Sequence, residues 1–153
     1  MHRLLTRRSR GGTKGTRKMR EILFRAKDKN THEWVYGCYV RMLSAAGFVY
    51  AILVPAENPD ESNTIYPIIP GTVGEYTGLT DKNGKKIFEG DIVRYNDTLH
   101  KVVFCTINGC AFFGITYPDR GEVWNFDGIT CAHKMKIIGN IHDDPEVVDG
   151  DEK

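Results

Sequence analysis

The sequence has no apolar run that approaches the ~18 residues a membrane-spanning helix needs, and it shows no secretory signal. Only four of its 153 residues are cysteines, Cys38, Cys105, Cys110 and Cys131, and no two of them form a Cys-x-x-Cys pair. These absences argue against a disulfide framework and a structural zinc site. We therefore expect reduced thiols, a cytoplasmic location and no membrane partner.

The motifs of nucleotide binding and of catalysis are also missing. Gly71, Gly74 and Gly78 are not followed by the Gly-Lys-Ser/Thr of a phosphate-binding loop. Cys131 and His133 would share one face of a strand, and a hydrolase centred on them is the weakest of our alternatives, because nothing nearby marks a nucleophile with an oriented base. We predict no catalytic residue, no metal ligand and no cofactor, and we expect that the protein is not an enzyme.

Charge is distributed unevenly, although the formal net charge is only +1. Residues 1–18 contain no acid and seven basic side chains, namely Arg3, Arg7, Arg8, Arg10, Lys14, Arg17 and Lys18. Such a segment buries too little apolar surface to offset its ordering entropy, so we expect a disordered basic tail. It is a nucleic-acid-binding arm, an organellar presequence, or a stretch upstream of the true start at Met19. Residues 143–153 are predicted to form a second disordered tail, which is acidic.

Short strand patterns and polar turns alternate over residues 19–75. Four strands are predicted, over residues 20–26, 33–39, 47–54 and 64–69. The third is a nearly continuous run of β-branched and aromatic residues that is too short for a helix. The aromatic side chains of Trp34, Tyr36 and Tyr39 are more typical of cross-strand core pairs than of a base-stacking platform. We predict a β-rich N-terminal subdomain with minor helix.

The stretch with the densest turn chemistry is residues 71–95, in which Asn83-Gly84 predicts a type I′ hairpin turn. Five strands follow the turn, over residues 91–95, 101–107, 110–116, 122–126 and 136–141. Asn108-Gly109 predicts a second type I′ turn. Five short strands within about 50 residues are typical of a small Greek-key or SH3-like barrel. We therefore predict a mainly β (α+β) fold, with a leading hairpin and an SH3-like barrel over residues 76–142.

Three segments carry a resemblance to a known family. They are MREILFRAKDKNTHEWVYG from residue 19, TVGEYTGLTDKNGKKIFEGDIV in the predicted hairpin from residue 72, and KIIGNIHDDPE from residue 136. In their order and in their amino-acid sequences they closely resemble the YopX family of temperate-phage and prophage proteins, over about residues 19–148. The resemblance implies an SH3-like barrel domain and oligomers. The family has no established biochemical activity, so the resemblance implies no catalytic residue.

Binding remains as the expected function, because a small barrel with an exposed hairpin is a scaffold for recognition. The apolar hairpin residues either form a partner or self-association surface or cover the open end of the barrel; they are Tyr76, Leu79, Ile87 and Phe88. We predict a non-enzymatic protein-interaction or self-assembling module. It would form homo-oligomers and act on an unknown host or phage protein in the cytoplasm of the bacterial host.

The alternative function is a nucleic-acid-associated accessory module of phage replication or recombination. A continuous basic stripe would favour it, and mixed charge would weaken it. The residues of that stripe are Lys82, Lys85, Lys86, Arg94 and Lys101. The first three are also our candidate binding residues.

Overall fold

The computed structural model describes residues 19–117, 121–126 and 132–149. These residues form two antiparallel sheets, one of six strands and one of five. The expectation of a mainly β fold is confirmed. The predicted basic tail at residues 1–18 and Cys131 lie outside the described residues.

The strands follow one another along the chain with short connections. They are β1 (Phe24–Lys27), β2 (Trp34–Ser44), β3 (Gly47–Val54), β4 (Thr64–Pro67), β5 (Gly74–Thr80), β6 (Lys86–Phe88), β7 (Asp91–Tyr95), β8 (Thr98–Ile107), β9 (Cys110–Thr116), β10 (Val123–Asn125) and β11 (Lys136–Asn140). A 3₁₀ turn at Pro70–Thr72 precedes β5, and the helix α1 (Pro145–Asp149) follows β11. The helix lies within the segment that was expected to be a disordered acidic tail.

The six-stranded sheet has the order β4-β3-β2-β1-β5-β6. β1 is central in it and pairs with β2 on one side and with β5 on the other. Because side chains alternate between the two faces of a strand, Phe24 and Ala26 of β1 point to one face, and Arg25 and Lys27 point to the other. Ala26 belongs to a buried cluster with Ile52 and Ile68, which forms the core of this sheet. The sheet includes β5 and β6, so it extends past residue 75, the predicted end of the N-terminal subdomain.

The five-stranded sheet has the order β10-β9-β8-β7-β11. β7, β8, β9 and β10 are consecutive neighbours, and β11 returns to the far side of β7. The sheet is open, and among the described residues β10 and β11 are its two edges. The expected SH3-like barrel is therefore not confirmed, because closure would require these edges to pair.

A second buried cluster joins the two sheets. It contains Ile87, Val93, Val102, Ile115, Ala132 and Met135. Ile87 belongs to β6 of the six-stranded sheet, whereas Val93, Val102 and Ile115 belong to the five-stranded sheet. The β5–β6 hairpin therefore inserts an apolar side chain into the core of the other sheet. No helix among the described residues has the length and apolar character to cross a membrane.

The two predicted asparagine–glycine turns differ in structure. Asn108 and Gly109 have φ angles of 52° and 78°, as a two-residue type I′ turn requires, so that prediction is confirmed. Gly84 has a φ of 78°, but Asn83 does not have a positive φ, so the type I′ prediction at this position is wrong. The loop instead contains Lys82, Asn83 and Gly84, and it is closed by a backbone hydrogen bond from Gly84 N to Asp81 O at 2.9 Å. A three-residue loop that ends in a left-handed glycine is the next commonest hairpin connection.

Candidate functional site

A cleft with a volume of about 530 Å³ lies between the Arg25 face of the six-stranded sheet and the β7–β11 side of the other sheet. A cleft of this size at the junction of two structural units is typical of a small-ligand site. Its lining combines aromatic and charged side chains. The principal ones are Arg25, Trp34, Tyr36, Lys85, Phe88 and Asp91.

Arg25 lies at the base of this cleft. Its position in β1 directs the side chain away from the Ala26 core, toward the five-stranded sheet. Its Nη2 lies 2.6 Å from Oδ1 of Asp91, and the two residues are 6% and 2% exposed. The guanidinium lies over two rings, with its carbon 4.6 Å from the Trp34 centroid and 4.9 Å from the Phe88 centroid. Flat guanidinium groups are well suited to such stacking.

Asp91 connects three elements through its carboxylate. Its Oδ1 accepts the Arg25 hydrogen bond, and its Oδ2 accepts a hydrogen bond from Phe88 N at 2.8 Å. Burial raises the pKa of Asp91, and the charge of Arg25 and the hydrogen bonds oppose this effect. The Arg25 Nε is buried and has no hydrogen-bond partner among the described residues. The described residues therefore leave one hydrogen-bond donor of the buried ion pair unused.

One end of the cleft is closed by the segment after β11. The Asp143 carboxylate contacts Lys27 Nζ, accepts a hydrogen bond from Trp34 Nε1 at 2.7 Å, and accepts another from Asn140 Nδ2 at 2.8 Å. Hydrogen bonds from Asn140, Lys27 and Trp34 hold the pKa of Asp143 well below its ordinary value. This arrangement fixes the C-terminal segment against β1 and β2.

The β5–β6 loop is held by a single carboxylate. Asp81 Oδ1 accepts hydrogen bonds from the backbone N–H groups of Asn83 and Lys85, and Oδ2 accepts one from Ile137. Burial opposes the ionised form, but these backbone donors outweigh it and lower the pKa of Asp81. The loop that carries Lys82 and Lys85 is therefore tied to β11.

The structure separates the seven predicted binding residues into two groups. Tyr76, Ile87 and Phe88 are buried and Leu79 is half-buried, so they do not form an exposed apolar surface. Lys82 and Lys85 are exposed on the loop, and Lys86 Nζ lies 2.6 Å from Glu21 Oε1. Of the seven, Lys85, Lys86 and Phe88 line the cleft.

Sequence reasoning missed Arg25 and Asp91 as site residues. The sequence shows Arg25 as a charged residue inside the strand pattern LFRAK, but a charged residue in a strand is equally typical of a solvent-facing position. Tyr39 supports the prediction that the aromatic residues form cross-strand pairs. Its ring stacks on that of Tyr50, with the centroids 6.5 Å apart and the ring planes at 12°. Tyr36 instead faces the cleft and meets the Phe88 ring at 5.6 Å.

Of the catalytic candidates Cys131 and His133, Cys131 lies outside the described residues. Cys38 and Cys110 are exposed and Cys105 is half-buried, and all three are free thiols. His133 is exposed. Residues 19–117, 121–126 and 132–149 contain no cluster of three or more His, Cys, Asp or Glu side chains that could hold a metal ion.

A second feature with functional character is the end of the β2–β3 hairpin, residues 41–49, which we call the arm. β1 pairs only with the start of β2, and β4 pairs only with the end of β3. The arm is therefore a ribbon of two strands, paired from Met42↔Val49 to Ser44↔Gly47. Leu43 is 76% exposed and Phe48 is 53% exposed, and they are direct cross-strand partners.

Comparison with known proteins was made on sequence and on structure. A crystal structure of protein EF1440 from Enterococcus faecalis is similar, with 21% sequence identity and a TM-score of 0.46, over 84% of this chain and 98% of that one. The search of curated proteins finds no match. The family model described as YopX protein matches residues 23–149, which include both sheets and the cleft. The chain therefore belongs to the YopX family.

Proposed function

We propose that the protein is a non-enzymatic interaction module of phage origin that self-associates through the arm. The observation that carries this proposal is the exposed pair of Leu43 and Phe48 at the end of a two-stranded ribbon. The resemblance to phage and prophage proteins supports a role in the cytoplasm of a bacterial host, together with a host or phage partner.

The arm has the properties of a surface that a partner covers. Within the arm only Arg41 is charged, and its guanidinium lies over the Phe48 ring, 3.9 Å from the centroid. The following residues 42–54 contain no charged side chain, whereas exposed ribbons normally carry charges or prolines that prevent strand pairing. No other described strand pairs with its two edges over this length, and an isolated two-stranded hairpin is only marginally stable in water. Exposed, contiguous apolar surface of this kind marks an interaction site. The arm would be stabilised by burial against another surface.

A second copy of the chain is the occupant that this surface fits. Where β4 leaves the free edge of β3, an apolar groove of about 430 Å³ begins beside Phe48. Tyr50, Pro67 and Ile68 line this groove. A projecting apolar pair and an apolar groove therefore lie side by side on one surface. A two-fold interface requires this self-complementarity, because each copy presents both halves to the other.

The nucleic-acid alternative receives less support from the charges around the β5–β6 hairpin. Lys86 is paired with Glu21, and Arg20 lies 2.5 Å from Glu75 on the same sheet. Mixed charge of this kind weakens the electrostatic attraction of a phosphate backbone. Lys82, Lys85 and Arg94 are exposed and remain the residues on which that alternative rests.

The test is the molar mass in solution, measured by sedimentation over a range of protein concentrations. The wild-type chain is expected to form a dimer or a larger oligomer. Leu43→Ser should weaken the association about 100-fold or more, because a two-fold interface loses the buried side chain twice. Circular dichroism should show an unchanged fold, because Leu43 is exposed in the single chain.

A matched control is available at the end of the other long hairpin. Ile107 is 43% exposed beside the Asn108-Gly109 turn, and Ile107→Ser should leave the molar mass unchanged. A wild-type chain that is monomeric at every concentration would refute self-association, as would equal effects of the two changes. A monomer that shifts a mixed-sequence DNA duplex, and still does so after deletion of residues 1–18, would favour the nucleic-acid alternative.

A further inference from the structure

We propose that the cleft between the two sheets binds a carboxylate that is carried on an aromatic or aliphatic group. The C-terminal residue of a peptide and a small organic acid share this chemistry. The site is separate from the arm, and the proposal does not depend on self-association.

The first argument is the hydrogen-bonding capacity of Arg25. A guanidinium has five N–H donors, and the Asp91 carboxylate engages only Nη2 of this one. Nε is buried without a partner among the described residues, and a buried donor without an acceptor is unfavourable. An incoming carboxylate oxygen is the acceptor that a guanidinium binds best.

The second argument is the charge of the cleft. Arg25 is neutralised by Asp91, Lys86 by Glu21, and Lys27 by Asp143. Lys85 also lines the cleft, but it has no ion-pair partner within the part of the chain that the structure describes. Counted over the charged residues that line the cleft and their ion-pair partners, the site carries one positive charge in excess. A ligand with a single negative charge complements this excess, whereas a phosphate monoester carries a charge of about −1.5 to −2 and would face Asp91 and Asp143.

The third argument is the apolar wall. Tyr36 is 46% exposed although it lies on the sheet face that is directed at the cleft, and its ring meets the edge of Phe88. Leu23 and Ile137 complete the apolar part of the lining. An aromatic or aliphatic group of the ligand would cover the Tyr36 ring while its carboxylate reached Arg25 and Lys85. Apolar walls with a few placed polar groups are the usual composition of ligand sites.

The test is binding to the full chain, followed by amide chemical shifts. The probes are 3-phenylpropionate, its uncharged amide, and a short uncharged peptide that ends in phenylalanine with a free or an amidated C-terminus. We expect shifts at residues 25, 36 and 85 with both acids, and at least about tenfold weaker binding of both amides, because each amide lacks the charge-assisted hydrogen bonds. A peptide that binds more tightly than 3-phenylpropionate identifies a protein C-terminus as the source, and the reverse order identifies a small acid.

Two exposed positions allow variants that do not disturb the core, each with a matched control. Lys85→Gln should weaken 3-phenylpropionate about three- to fivefold, while Lys82→Gln, on the same loop but outside the cleft, should have no effect. Tyr36→Ala should weaken it by about tenfold through the lost aromatic contact. Tyr39→Ala, on the opposite face of β2, should leave binding unchanged.

Several outcomes would overturn the proposal. They are equal binding of acid and amide, tighter binding of adenosine monophosphate than of either acid, and no shifts up to about 10 mM ligand, where even weak association is measurable. Equal effects of Lys85→Gln and Lys82→Gln would do the same. The Leu43→Ser chain should bind 3-phenylpropionate as tightly as the wild type does. A failure of the self-association proposal can therefore be told apart from a failure of the ligand-binding proposal.

Discussion

Nη2 of Arg25 lies 2.6 Å from Oδ1 of Asp91, and this ion pair joins the central strand of one sheet to the first strand of the other. The two residues are 66 positions apart in the chain. Because both residues are buried and the guanidinium lies against the Trp34 and Phe88 rings, the pair is shielded from water and salt. Its removal should therefore affect how the two sheets are held together.

We expect Asp91→Ala to lower the free energy of unfolding by about 3–5 kcal/mol, because it leaves the buried charge of Arg25 without a counter-ion. The double change Arg25→Met with Asp91→Leu should be less harmful than the single one, since it removes both charges and keeps apolar volume. Urea unfolding at neutral pH measures both effects.

The exposed pair of Arg20 and Glu75 is the control for this measurement, because its N–O distance of 2.5 Å is similar but Arg20 is 57% exposed. Glu75→Gln should cost at most about 1 kcal/mol. If Asp91→Ala costs no more than Glu75→Gln, the pair does not hold the sheets together.

Local structure was largely predictable from the sequence. The bounds predicted for β3, β7 and β9 agree with the structure, because each strand is bordered by residues that prefer turns. Asn96 and Asp97, for example, both adopt positive φ between β7 and β8. Turn preference is a property of neighbouring residues, so a single sequence reveals it.

The pairing of distant strands was not predictable in the same way. The β5–β6 hairpin joins the N-terminal sheet because Gly74 pairs with Arg25, and at Gly74 an added Cβ would lie 2.5 Å from Glu89 O. Strand alternation places the Arg25 side chain on the face of β1 opposite Ala26. Whether such a residue meets water or a second sheet depends on contacts 66 positions away, and no local pattern encodes them.

The Asp143 carboxylate predicts a specific pH dependence. Its pKa in the folded chain is lowered from an ordinary value of 3.8, so ionisation stabilises the fold. This contribution is fully present above the unfolded-state pKa and is lost as pH falls through the folded-state pKa. The difference in free energy of unfolding between wild type and Asp143→Asn should be constant from about pH 5 upward and should shrink in acid.

Urea unfolding of both chains at several pH values measures this difference. Asp91, whose pKa is raised, gives the free energy of unfolding the opposite pH dependence, but it contributes equally in both chains and cancels. Asp60→Asn, in the exposed loop between β3 and β4, is the control and should leave the free energy of unfolding at acidic pH unchanged. A difference that widens on acidification would contradict the assigned direction of the Asp143 pKa.

The two asparagine–glycine loops give a comparison in which the local sequence is the same and the backbone is not. Asn108 has a φ of 52°, in the left-handed region, where alanine is less favourable than asparagine. Asn108→Ala should therefore cost about 1 kcal/mol. Asn83 is exposed and does not have a positive φ, so Asn83→Ala should change the free energy of unfolding by less than about 0.5 kcal/mol. Thermal or urea unfolding of both variants measures the contrast, and a loss of about 1 kcal/mol for both would contradict the assigned difference between the two loops.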